Sequence, residues 1–183
     1  AGSSGGPLVE CTRCRRDGVI HPAIGRLGRE EFGMEERCGS LLEGKVAVVL
    51  GASSGIGWCI AERFASEGAK VVVAARRRDR LDQLAERIGG FAVSCDVSDD
   101  ESVRALAEAA RNRYGRVDAA VNSAGLNLPS SIRDVTPAIL HQVAGVQFFG
   151  FFYFMRHLGN LMAAGGGGSL VNVTSATAIL VPE

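Results

Sequence analysis

The chain reads as an α/β domain built on a doubly wound parallel sheet, and three observations predict this class. Short apolar runs rich in β-branched residues recur from Val46 onward, each of strand length. Between them lie segments whose apolar residues repeat with helical period. The first run ends in a glycine-rich turn, Gly51-Ala-Ser-Ser-Gly55-Ile-Gly57, that opens directly into a helical pattern. Strands that alternate with helices pair in parallel, with helices on both faces. Right-handed crossovers then place a ligand crevice at the carboxyl ends of the strands.

Val46–Leu50 is the first strand, and the helix after it opens at Gly55 to Gly57 and runs through Ile60, Ala61, Phe64 and Ala65. Val71–Ala75 is the second strand, followed by a helix over Asp79–Ile88 with Leu81, Leu84 and Ile88 on one face. Phe91–Cys95 is the third strand. A helix over Ser98–Arg113 follows, with Ser98 as its cap and Asp99, Asp100 and Glu101 where the helix dipole favours acids. Val117–Val121 is the fourth strand, Pro137–Ala163 a long helix with an apolar middle, and Leu170–Val173 the fifth strand.

Residues 1–40 show no sustained period; they carry scattered glycines and the cluster Arg13, Arg15 and Arg16, so disorder is expected there and the domain spans 41–183. They lack the continuous apolar core of a signal peptide, and Met34 is read as the natural start. Lys+Arg and Asp+Glu are both 20, so no broad nucleic-acid footprint is expected. No apolar stretch reaches a membrane span; the longest candidate, Phe148–Phe154, is interrupted by Gly150 and followed by Arg156 and His157. Five scattered cysteines suggest a reducing, cytoplasmic compartment, with Cys59 and Cys95 read as small core residues. Cys11-Thr-Arg-Cys14 has metal-ligand spacing, but no second pair or nearby histidine completes a zinc site, and no metal is expected.

Strand, glycine-rich turn and helix together form a phosphate cradle: small residues admit a diphosphate, and free N–H groups at the helix start face it. The end of the second strand selects the dinucleotide. An acid there would accept from a ribose 2′-OH and repel a 2′-phosphate; this chain has Arg76, Arg77 and Arg78 instead. NADP(H) is therefore favoured over NAD(H), with Arg76 chosen for the 2′-phosphate, Arg77 beside it, and Arg78 and Arg80 left to a solvated helix start.

The spacing Gly51-x-x-x-Gly55-x-Gly57 resembles the cofactor loop of the classical short-chain dehydrogenases/reductases, with Leu50 where that family usually has Thr. The resemblance covers Leu41 to the end of the chain. It implies a Rossmann-like sheet, incomplete at the C-terminus, and hydride transfer between NADP(H) and a small carbonyl or alcohol. Gly51, Ser53, Ser54, Gly55, Ile56 and Gly57 would hold the diphosphate. Asp96 and Val97 resemble the family's adenine-binding pair. Asn122-Ser-Ala124-Gly125 resembles its Asn-Asn-Ala-Gly, with Ser123 in place of the second Asn. Gln147 stands where a catalytic Asn is usual, and Ser175 aligns with the serine that bonds the substrate oxygen.

The family's Tyr-x-x-x-Lys would begin about a dozen residues past Ser175, beyond Glu183. The 183 residues alone are thus expected not to turn over. Without the helix that would follow, Ile139, Leu140, Val143, Val146 and Phe149 are expected to lack a cover. The resemblance further implies a homo-oligomer at full length; charge balance and apolar run length lead to the expectation of no nucleic-acid or membrane partner. A dinucleotide-binding regulatory or scaffold protein without catalysis is the alternative, and a nucleotide-binding transferase on a similar sheet a third reading.

Overall fold

A computed structural model describes residues 40–126, 128 and 133–174. Five parallel strands form one sheet in the order β3-β2-β1-β4-β5. They are β1 (Val46–Leu50), β2 (Lys70–Ala75), β3 (Phe91–Ser94), β4 (Ala119–Asn122) and β5 (Ser169–Asn172). β1 is central, so both its faces must be covered, and all five of its residues are buried. Its register runs Val46↔Lys70 to Leu50↔Ala74 on one side and Ala47↔Ala119 to Leu50↔Asn122 on the other.

Each face carries its own helices. Val49, Val71 and Val73 pack against α1 (Gly55–Ser66) and α2 (Arg78–Ile88) through Ala61, Leu81 and Leu84. Val48, Leu50 and Val72 meet α3 (Asp100–Tyr114) and α5 (Gly150–Ala164) through Val103, Leu106, Phe154 and Leu158. Strand order changes direction between β1 and β4, and the chain's carboxyl-end loops converge there.

The α/β class and the order of elements agree with the sequence reading, with differences at the edges. The fourth ladder opens at Ala119 rather than Val117, because Val117 is buried before the strand begins and Asp118 is occupied in bonding Val46. The third helix is capped by Asp99, whose carboxylate accepts from the Glu101 amide at 3.1 Å. Ser98 is not the cap, because its hydroxyl donates to Asp96 at 2.7 Å. Cys59 is exposed, not core. The buried stripe of α1 runs through Gly57 and Ala61, and a residue midway between them points the other way.

The long helix is one rod of three parts: α4 (Pro137–Ala144), a π-helical turn (Gly145–Phe149) and α5. Thr136 caps it by accepting from the Ile139 amide, and Pro137 occupies the first turn, where its missing N–H costs nothing. Pro137–Ala164 is long and apolar enough to cross a membrane by length and composition alone. Reading only uninterrupted runs missed this, because Arg156 and His157 break the run and not the helix. In the fold Phe154, Leu158 and Met162 are buried against the sheet. Leu140 and Phe149 lie exposed, with Phe148, Phe152 and Met155 beside them, whereas Val146, expected without a cover, is buried.

Candidate functional site

Asp118 fixes the amino edge of the sheet. Its carboxylate accepts from the Val46 amide at 2.9 Å and pairs with Arg116 and with Lys45. Burial acts to raise its pKa, but the Val46 amide and the Arg116 and Lys45 charges outweigh burial and hold it below the ordinary carboxylate value. The opposite, carboxyl edge is where the chain opens.

There a cleft of about 230 Å³ lies between the ends of β1, β2, β3 and β4. The turn after β1 forms its floor. Gly51 has φ +85°, and a Cβ on it would lie 2.5 Å from the Ala124 amide, so only glycine lets the loop and the β4 end pass each other. A Cβ at Gly57 would collide with the Gly51 carbonyl and the Ser123 hydroxyl. Gly55 has φ +58° with open space around it. The loop is hung from both neighbouring strands: Gly51 and Ala52 amides donate to the Ala74 carbonyl, and the Ser123 amide donates to the Leu50 carbonyl.

The α1 start is left open. Its capping residue, Ser54, makes no side-chain bond to the helix, and the first turn holds no acid. The first-turn N–H groups therefore have no intrahelical partner. Ser54, Gly55 and Ile56 are exposed, while Ser53 is buried.

At the end of β2, Arg76 and Arg77 both line the cleft and diverge. Arg77 donates from Nε and Nη2 to Ser53 Oγ at 3.1 and 2.9 Å, and from Nη2 to Ser54 Oγ at 2.6 Å. Arg76 instead places its charge near Asp96. Asp96 Oδ1 accepts from both the amide and the hydroxyl of Ser98. Burial works to raise the Asp96 pKa, but these two hydrogen bonds and Arg76 prevail and hold it below its ordinary value. Beside it, burial pushes the Cys95 thiol up to about 11, so it stays protonated.

The β4 side closes the cleft with Ala124 and Gly125. Asn122 is fully buried behind them, its Oδ1 accepting from the Ala124 amide at 3.0 Å and shaping the turn. Its Nδ2 and the Oδ1 of Asn172, on directly paired strand residues, have no hydrogen-bond partner among the described residues. Gln147 lies in the π-helical turn and donates from Nε2 to the Leu126 carbonyl at 2.7 Å. That turn widens the helix where it meets the loop after β4, a placement typical of π-turns at functional sites.

Of the residues singled out from sequence, Gly51, Ser53, Ser54, Arg76, Arg77, Asp96, Val97, Ala124 and Gly125 share this cleft. Gly55, Ile56 and Gly57 form the helix start at its rim, Asn122 supports it from behind, and Gln147 approaches through Leu126. Ser175 lies outside the described residues, as do Cys11 and Cys14. The sequence reading missed Leu126 as a wall residue, although it directly follows Gly125, and missed that Val146, next to Gln147, closes the cleft. No cluster of His, Cys, Asp or Glu able to hold a metal occurs among the described residues.

Comparison with known proteins places this geometry in a family. Residues 51–183 match the sequence profile of the family described as Enoyl-(Acyl carrier protein) reductase. The chain is 34% identical over 142 residues to D-threitol dehydrogenase of Mycolicibacterium smegmatis, covering 75% of this chain and 55% of that protein. It is 39% identical over 127 residues to Tropinone reductase-like 1 of Erythroxylum coca, covering 66% of this chain and 47% of that one. The chain thus spans about half the length of the curated relatives it matches. A crystal structure of a short-chain type dehydrogenase/reductase from Mycobacterium marinum superposes with TM-score 0.74 at 29% identity, covering 77% of this chain and 60% of that one. Glycine loop, parallel sheet and relatives agree: the chain belongs to the short-chain dehydrogenase/reductase family.

Proposed function

We propose that this chain is the dinucleotide-binding part of an oxidoreductase that moves a hydride between NADP(H) and a small carbonyl or alcohol. The observation that carries the reading is the open start of α1, uncapped and free of acid, facing a cleft that two arginines also line. A diphosphate suits that helix start, because its N–H groups and dipole lack any other anion. Gly51 and Gly57 fit such a ligand, since a Cβ at either would obstruct the turn that carries those N–H groups.

Arg76 is assigned to the 2′-phosphate, supported by its place in the cleft and by the absence of any acid at the end of β2 that would repel it. Asp96 and Val97 hold the adenine end, and Ala124 and Gly125 the nicotinamide side. Hydride transfer is the chemistry that the nicotinamide supplies when bound. The chain's own part is to bind and orient: Gln147 fixes the Leu126 carbonyl beside the cleft, and Ser175 is assigned to the substrate oxygen. The names of its relatives, D-threitol dehydrogenase and Tropinone reductase-like 1, fit redox chemistry at an alcohol or carbonyl.

The test is equilibrium titration of the chain with NADPH and with NADH, followed by fluorescence. NADPH is expected to bind about tenfold more tightly, or about 1.4 kcal/mol. Equal or tighter binding of NADH overturns the assignment of Arg76, and binding of neither overturns the function.

A further inference from the structure

The two arginines at the end of β2 look interchangeable in sequence, yet their surroundings divide them. We infer that Arg77 is a positioning residue for the diphosphate loop, serving either dinucleotide alike, and that it does not read the 2′-phosphate. The inference rests on the proposed dinucleotide site and goes beyond it in separating two residues that the sequence pairs.

The inner half of the loop needs no help. Gly51 and Ala52 are tied by backbone hydrogen bonds to Ala74, and Gly51 and Gly57 are wedged against Ser123 from the β4 side. The outer half, Ser54 to Ile56, is exposed and turns through a positive φ at Gly55, where a glycine with open space around it has wide freedom. The side chain that crosses to this half from the neighbouring strand is Arg77. Its planar fork bridges two successive loop hydroxyls, Ser53 and Ser54, with three donor–acceptor contacts of 2.6 to 3.1 Å. Arginine suits this because its donors are fixed in one plane, so little freedom is lost per bond formed.

Arg77 is itself held in place as the capping position of α2, where its backbone is extended at φ −83° and ψ 91°. It therefore transmits the rigidity of the β2–α2 junction to the loop. The N–H groups at the start of α1 immediately follow the two serines it grips. Fixing those serines aims the N–H groups before any ligand arrives, which lowers the ordering cost of binding. This service is blind to the 2′ position. Arg76 lines the same cleft with no hydrogen bond to either serine, and its charge acts on Asp96.

The test uses the 183-residue chain, its Arg77→Gln and Arg77→Lys variants, a Ser53→Ala/Ser54→Ala pair, and the triple variant carrying Arg77→Gln. Arg77→Gln is expected to weaken NADPH and NADH binding equally, by about tenfold, leaving their ratio within about twofold of the parent. Arg77→Lys, which keeps the charge and loses the fork, should recover less than half of that loss on a logarithmic scale. The serine pair should reproduce it, and the triple variant should be no worse than Arg77→Gln, because all three changes remove one interaction. Loss confined to NADPH, or losses that multiply in the triple variant, overturns the inference and leaves the proposed function standing. Should the parent bind neither dinucleotide, the proposed function fails, and amide hydrogen exchange still decides this point. Faster exchange across Ser53 to Gly57 in Arg77→Gln upholds the tether, and unchanged exchange sinks it.

Discussion

Helices α1 and α3 start at the same edge of the sheet and treat their first turns in opposite ways. α3 is self-sufficient: the Asp99 carboxylate accepts from the Glu101 amide, and Asp100 and Glu101 add charge that suits the dipole. α1 has no side-chain cap and no acid, and two of its first three residues are glycine. One helix start contributes to stability and the other forgoes that contribution to keep donors available. The difference leaves α1, and not α3, with open donors beside the cleft, where the proposed dinucleotide would sit.

The glycines offer the sharpest way to break the contrast. Gly51 of the α1 turn and Gly115 after α3 both have positive φ, at +85° and +78°, but only Gly51 has backbone within 2.5 Å of a would-be Cβ. Gly51→Ala is expected to cost at least about 3 kcal/mol by urea unfolding and to abolish dinucleotide binding. Gly115→Ala should cost about 1 kcal/mol and leave binding alone. Equal costs at the two positions would remove the close approach from the account.

Giving α1 the kind of start that α3 has should trade one property for the other. Ser54→Asp supplies an acidic cap and a charge for Arg77, so Tm is expected to rise, by about 0.5–1 kcal/mol in stability. The same carboxylate repels a diphosphate, and dinucleotide affinity should fall at least about tenfold. A variant that is stabilised and still binds normally would mean the ligand does not sit at this helix start. The converse change, Asp99→Ala, uncaps α3. It should cost about 1 kcal/mol in a thermal melt, with affinities within about twofold of the parent.

The mildest effect is on acid stability. Asp96 and Asp118 both have pKa values held below normal in the fold, since hydrogen bonds and nearby cations outweigh burial. Their contribution is fully present above the unfolded carboxylate range near about 4, and it is lost as pH falls through the lower folded values. Asp118→Asn should flatten the decline in urea midpoint between about pH 5 and about pH 2 relative to the parent.

Much of this was legible in the chain itself. Val46–Leu50 could be placed to the residue because it is buried on both faces, so its run is wholly apolar and ends at a glycine. The cleft was legible because it is built of consecutive residues at strand ends: Gly51, Arg76, Asp96 and Asn122 each follow or close a strand. What sequence could not give was competition between neighbours. Ser98 and Asp99 are both good caps, and which one serves depends on Asp96 having taken the Ser98 hydroxyl. Position alone points to Arg76 for the 2′-phosphate, and the bonds of Arg77 to Ser53 and Ser54 emerge only in space. The π-helical turn around Gln147 left no mark in the apolar period, because its single extra residue shifts the pattern less than the run of aromatic side chains blurs it.

Asp118 has a wider consequence. Its carboxylate takes the Val46 N–H, its own amide donates to the Val46 carbonyl, and its carbonyl takes the N–H of Ser169. One residue thereby pins the first rungs of three adjacent strands at the rim away from the cleft. Slippage of any of them would have to uncouple a charged anchor as well as a ladder. Side chains at the cleft rim can therefore be substituted without the strands falling out of step.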